Sequence, residues 1–199
     1  MLIHLRTTNN KMSKDKESSI QSRLINPGTR RQAFEEMVNY FSNRLYWQIR
    51  RMVTYHDDAD DVLQNTFLKA WNGIDNFRGE SKLSTWLYKI AYNETLTFLS
   101  KQHQNISLDN SMEIDEENGN NILNQLESDP YFDGDETERM LQAAIGSLPP
   151  KQRQVFNMKY FDDMKYEDMS EITGTSVGAL KTSYHIAVKK IEVFFNSHD

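Results

Sequence analysis

Residues 105–138 hold eleven acids (Asp109, Glu113, Asp115, Glu116, Glu117, Glu127, Asp129, Asp133, Asp135, Glu136 and Glu138) and neither Lys nor Arg. A segment this polar buries too little apolar surface to offset the entropy of ordering it, and its like charges favour extension. It therefore reads as a flexible linker over 102–138, and it divides the chain in two. It also changes the meaning of the net charge. The whole chain carries 23 Lys and Arg against 29 Asp and Glu, a balance of −6. Without the linker acids, 23 basic residues face 18 acidic ones, a net of about +5 by the same counting. Two mildly basic parts are joined by a polyanion.

Both flanking parts have helical spacing. Phe34, Met37, Val38, Phe41 and Leu45 recur at three- and four-residue steps, which places them on one helix face. Tyr46, Ile49, Met52 and Val53 extend the series to a break at Tyr55 and His56. Asp57 or Asp58 then offers an N-cap, with further acids placed to complement the helix dipole. Val62, Leu63, Phe67, Ala70, Trp71 and Ile74 supply the apolar stripe of that second helix. A loop containing Gly79 precedes a third amphipathic segment, Leu83 to Leu99. With 8 Gly and 4 Pro in 199 residues, the composition also suits helices better than a turn-rich sheet fold. The expected fold class is all-α: two small helical domains, 20–101 and 139–199, preceded by a flexible tail over 1–19. Met12 is an alternative start.

The C-terminal part carries a more specific order. The pair Pro149-Pro150 breaks one helix from the next, since a residue before Pro is disfavoured in helix. From Tyr166 to Leu180 the sequence has the pattern of a helix-turn-helix. Met169 and Ile172 point inward, Gly174 sits where the turn needs a positive φ, and Ser176 caps the second helix. Val177, Leu180, Tyr184 and Ala187 face the core; Lys181, Thr182, His185, Lys189 and Lys190 face out, as a helix entering a major groove requires. An ordinary helical hairpin with a glycine turn has the same pattern, so the motif alone does not decide function.

Two separated stretches, in order, settle the comparison. The run from Asp57 to Trp71, followed by Phe77-Arg-Gly-Glu-Ser81 and Leu83-Ser-Thr-Trp-Leu-Tyr-Lys-Ile-Ala-Tyr-Asn93, resembles region 2 of the extracytoplasmic-function sigma factors. Leu148 through Lys190 resembles region 4 of the same family. The resemblance implies a protein that lends promoter recognition to RNA polymerase and is not an enzyme. It implies docking of the second region 2 helix on the clamp helices of the largest polymerase subunit, here through Asp60, Asp61, Gln64, Asn65, Phe67, Leu68 and Trp71. It assigns melting of the minus-10 element and capture of an unstacked base to Arg78, Lys82, Tyr88, Lys89, Tyr92 and Asn93. Core packing is the plainer expectation for Trp86 and an alternative for Phe67, Trp71 and Tyr88. Region 4 would read the minus-35 element through Ser176, Val177, Gly178, Lys181, Thr182, His185 and Lys189, and touch the polymerase flap. The acidic linker would thread the channel later taken by nascent RNA. An anti-sigma factor is a further partner the family implies.

Two departures and two alternatives complete the reading. Ser183, Ile186 and Val188 occupy recognition-helix positions where the family often has arginine, and Thr97 and Ser100 stand where Asp and Arg are common at the end of region 2. Fewer phosphate contacts imply low free-standing DNA affinity and a shallow salt dependence. His56-Asp57 resembles the His-Asp pair of metal phosphohydrolases, but the five histidines lack the spacing of a ligand set. No metal or cofactor is expected. A helix-turn-helix regulator acting without replacing sigma would leave the region 2 stretch unexplained. The absence of cysteine fits a reducing cytoplasm, and no apolar run approaches the ~20 residues that span a bilayer.

Overall fold

The computed structural model describes residues 14–53, 55–107 and 136–198. They form two helical units in sequence order, one on either side of residues 108–135. In the N-terminal unit, α1 spans Lys14–Ile25, α2 Arg30–Arg50, α3 His56–Gly73 and α4 Leu83–Ser107, with a 3-10 turn at Ile74–Asn76. In the C-terminal unit, α5 spans Glu136–Gly146, α6 Pro150–Tyr160, α7 Tyr166–Thr173 and α8 Val177–His198.

The spacing of apolar residues explains α2. Ala33, Met37, Phe41, Leu45, Gln48 and Ile49 form its buried stripe, and α1 and α3 both pack along it. Each large apolar side chain so buried contributes about 1.5–3 kcal/mol. The stripe of α3 differs from expectation. Ala59, Val62, Thr66 and Ala70 are buried, continued by Ile74, while Leu63 and Phe67 are half-buried and Trp71 is exposed. Small Ala59, Thr66 and Ala70 let the backbone approach α2 closely, and the bulkier side chains are displaced to the flank. The Thr66 hydroxyl donates to the Val62 carbonyl at 2.8 Å, so its burial leaves no orphan.

Four boundaries differ from those expected, one being the start of α5 at Glu136, inside the linker expected over 102–138. Residues 14–19, assigned to the tail, form the first turns of α1, which buries Ile20 and Leu24 completely. Two such side chains on one face suffice to dock a short helix whose other faces are polar. The first helical residue of α3 is His56, with Tyr55 in the cap position and no capping side chain. Neither Asp57 nor Asp58 caps it; both lie in the first turn. His56 is instead fixed from α2, its Nδ1 lying 2.5 Å from the Tyr46 hydroxyl. Finally, α4 continues to Ser107, past both Leu99 and the expected linker start at 102. Extending an existing helix costs little, so it outruns the apolar pattern that signals it. The expected linker over 108–135 and the tail over 1–13 lie outside the described residues.

The C-terminal unit is built around Leu141, Ala144, Ile145, Leu148, Phe156, Phe161, Ala187 and Ile191. The Phe156 ring stacks on Tyr160 at 5.1 Å and on Tyr184 at 5.8 Å, linking α6 to α8. Pro150 opens α6 at a position where a missing amide is harmless. Arg153, half-buried, donates to the carbonyls of Gly146 and Leu148 and so satisfies the end of α5. That burial pulls its guanidinium down to about 10.

Candidate nucleic-acid and partner interfaces

Three groups of exposed side chains follow from this scaffold. The first lies on α3. Asp60, Asp61, Gln64, Asn65, Leu68 and Trp71 are exposed, and Phe67 is half-buried beside them. Spacings of three and four residues align them along one side of the helix. Leu68 is 55% exposed and Trp71 41%. Trp71 rests only its edge on Phe34, at a centroid distance of 4.9 Å. Two large apolar groups held in water among acids and amides suit a partner that is both apolar and basic. The acids also act on each other. Burial first, then Asp61 and Asp57, push the Asp58 carboxyl above its ordinary range. His56 faces Asp60 at 3.3 Å besides its contact with Tyr46, so both ring nitrogens are engaged within α2 and α3.

The second group surrounds the loop before α4. Phe77 is buried and lies against Trp86, with ring centroids 4.7 Å apart. Arg78 and Lys82 are exposed on the loop, and Lys89 and Asn93 on α4. Tyr92 is half-buried, and burial raises its hydroxyl pKa. Tyr88 corrects the expectation: it is 7% exposed, part of the inward face formed with Ala91 and Thr95. Tyr88 precedes Lys89 by one residue, about 100° round the helix, which turns it into the core, and the tyrosine ring provides the apolar area to fill it. Tyr88 is therefore not available to stack on a base in this conformation. Trp86 departs the other way. It was expected in the core but is half-buried, and it shares a stripe with Lys82, Lys89 and Asn93 at helical steps. That spacing was visible in the sequence.

Two residues bearing on this loop were missed because they lie far from it in sequence. The Ser84 amide donates to Glu17 Oε1 at 2.7 Å, and Gln21 Nε2 donates to the Gly79 carbonyl at 3.0 Å. No local pattern signals either contact.

The third group is on α8. Gly174 has a φ of +69°, supplying the turn between α7 and α8. The Ser176 hydroxyl accepts the Ala179 amide at 3.3 Å, the expected cap. Leu180 and Ala187 are buried, with Val177 and Tyr184 half-buried. Ser176, Gly178, Lys181, Thr182, His185 and Lys189 are exposed, and Val177 lies at the edge of this surface. The Lys181 ammonium lies over the Tyr166 ring of α7, 5.7 Å from its centroid. Ile186, 38% exposed, presents apolar surface where the family resemblance implied positive charge, and Val193, 67% exposed, lies further along α8.

Known proteins share this organisation. Residues 37–104 match the family description sigma-70 region 2, and residues 138–191 match sigma-70, region 4. These two regions define the class. The chain belongs to the extracytoplasmic-function RNA polymerase sigma factors, proteins that confer promoter recognition at transcription initiation. It is 32% identical over 158 residues to the extracytoplasmic-function RNA polymerase sigma factor SigW of Bacillus subtilis, covering 77% of this chain and 83% of that one. It is 29% identical over 165 residues to the sigma-E factor of Haemophilus influenzae, covering 81% and 87%. Among solved structures, the fold is similar to the sigma factor RpoE of Bartonella quintana, solved with the anti-sigma factor NepR. That likeness has a TM-score of 0.64 at 21% identity and covers 82% of this chain and 96% of that one. Among the described residues, no helix is long and apolar enough to cross a membrane.

Proposed function

We propose that the three exposed groups divide the work of initiation. The α3 side, with Asp60, Asp61, Gln64, Asn65, Phe67, Leu68 and Trp71, docks on the polymerase clamp helices. Arg78, Lys82, Trp86, Lys89, Tyr92 and Asn93 receive the minus-10 strand; the basic groups hold phosphate and the rings offer stacking surface. Stacking contributes about 1–3 kcal/mol per captured base, enough to favour an opened strand without covalent chemistry. Residues Ser176 to Lys189 of α8 read the minus-35 element, and the chain works without catalysing a reaction. The protein acts where its polymerase and promoter are, in the cytoplasm, and an anti-sigma factor is a fitting regulator. Domain limits follow this division: 14–107 for the polymerase and minus-10 work, 136–198 for the minus-35 work.

The observation that carries the reading is separation of chemistry. Among the residues named, those on α3 are acidic, amide or apolar, whereas every exposed charge among those on the loop, α4 and α8 is basic. Variants should therefore split the activities. Leu68→Asp with Trp71→Ala is expected to weaken binding to sigma-free core polymerase by more than about tenfold, the effect of losing central apolar anchors. Lys181→Glu with Lys189→Glu should leave that binding unchanged and reduce minus-35 promoter binding, with a smaller salt slope. Fluorescence titration against core enzyme, then against promoter-bound holoenzyme, measures both. Equal loss of both activities in either double variant contradicts the division.

A further inference from the structure

The matched region 2 begins at residue 37, so α1 lies outside it. Yet α1 grips the loop between the 3-10 turn and α4 at two points. Glu17 accepts the Ser84 amide, 67 positions away in sequence, at 2.7 Å. Gln21 donates to the Gly79 carbonyl at 3.0 Å. Gly79 has a φ of +74°, and a Cβ placed there would meet Gln21 Nε2 at 2.9 Å and Ile25 Cδ1 at 3.2 Å. The loop and α1 are thus in close contact, and a Cβ there would displace the ends of the Gln21 and Ile25 side chains. A third tie secures the base of the loop: Arg30 bonds to Asp75 at 2.6 Å and to the Leu24 carbonyl at 3.1 Å.

The Ser84 amide is one of the four donors that the first turn of any helix leaves unpaired. A carboxylate brought to it from another helix does the work of an N-cap and complements the helix dipole as well. α4 therefore begins where Glu17 fixes it, and Gln21 sets the path of Arg78 to Lys82 leading into it. We infer that Glu17 and Gln21 are positioning residues that preorganise this loop for the unstacked minus-10 base, making α1 a determinant of promoter opening. The inference rests on the assignment of the loop to minus-10 DNA. A loop ordered before DNA arrives does not subtract its ordering entropy from base capture.

The test compares Glu17→Ala, Glu17→Gln and Gln21→Ala as full chains with sigma-free core polymerase. The template is a promoter recovered by transcribing a randomised library with the wild-type protein. Loss of a hydrogen bond to a charged acceptor corresponds to about tenfold slower open-complex formation for Glu17→Ala. Gln21→Ala, which loses a neutral bond, should be slower by about threefold. Glu17→Gln keeps an acceptor oxygen and should recover most of the rate. Discrimination among bases at the captured minus-10 position should fall in the two alanine variants, while core polymerase affinity stays within about twofold. If Glu17→Ala does not fold, Gln21→Ala carries the test alone. Wild-type opening rates and base discrimination in a variant whose Ser84 amide exchanges faster would overturn the inference. So would core affinity falling in parallel with opening, the mark of general destabilisation. A wild-type protein that initiates on no template overturns the minus-10 assignment itself, and the inference with it.

Discussion

The two units present their exposed functional surfaces in different ways. In the C-terminal unit the surface is one side of a single helix, α8, started by a local cap at Ser176 and a glycine turn at Gly174. In the N-terminal unit the comparable surface is a loop and the start of α4, fixed by Glu17 and Gln21 from a helix more than fifty residues earlier. A surface carried by one helix inherits its geometry from short-range chemistry. A surface carried by a loop depends on whatever packs against it.

The largest expected effects test whether the units are separate at all. Leu45→Ala removes a fully buried side chain from the N-terminal unit, and Met158→Ala does so in the C-terminal one. Each should cost about 3 kcal/mol and lower protection in its own unit only, as read by hydrogen exchange. Loss of protection across both units from either change breaks the comparison.

The two positive-φ glycines sharpen it. Gly174 has open space where a Cβ would stand, so Gly174→Ala incurs only the backbone cost of about 1 kcal/mol. Gly79→Ala also displaces the ends of the Gln21 and Ile25 side chains and disturbs the Gln21 hydrogen bond, and should cost about 2 kcal/mol. Thermal unfolding of the two variants measures the difference, and equal costs would mean that α1 does not confine the loop. Ser176→Ala, the loss of a local cap, should cost about 1 kcal/mol in the C-terminal unit.

The smallest effects are electrostatic and confined to the N-terminal unit. Asp58 is raised by burial and by neighbouring acids. Its protonated form is favoured in the native state, so its contribution is present at low pH and lost as pH rises through the raised value. Asp58→Asn should stabilise near pH 7 and have no effect in acid, as thermal melts against pH would show. Glu36 is the reverse case. The hydrogen bond from Arg23 holds it below its ordinary value, so its contribution is present near neutral pH and lost as pH falls through the lowered value. Thermal melts of Glu36→Gln against pH should converge on wild type in acid.

What the sequence revealed follows the same division. The helix-turn-helix was legible down to the cap and turn residues, because Gly174, Ser176 and the alternation of Leu180 and Ala187 with Lys181 and His185 are local signals. The helices α2 and α3 were legible as elements, but the inward faces were not. Thr66 lies in the core while Trp71 lies outside it, and small residues decided that by allowing close approach. Tyr88 was placed on the wrong side because a tyrosine fits either environment. The role of α1 was illegible, since hydrogen bonds spanning 58 and 67 residues leave no periodic trace.

Transcription from a randomised template library, with sigma-free core polymerase and this protein, tests the central claim most directly. The account predicts that added protein yields transcripts whose templates share two upstream elements, one read by α8 and one opened at the loop before α4. Core polymerase that binds the chain yet starts no transcript from any shared pair of elements would contradict it.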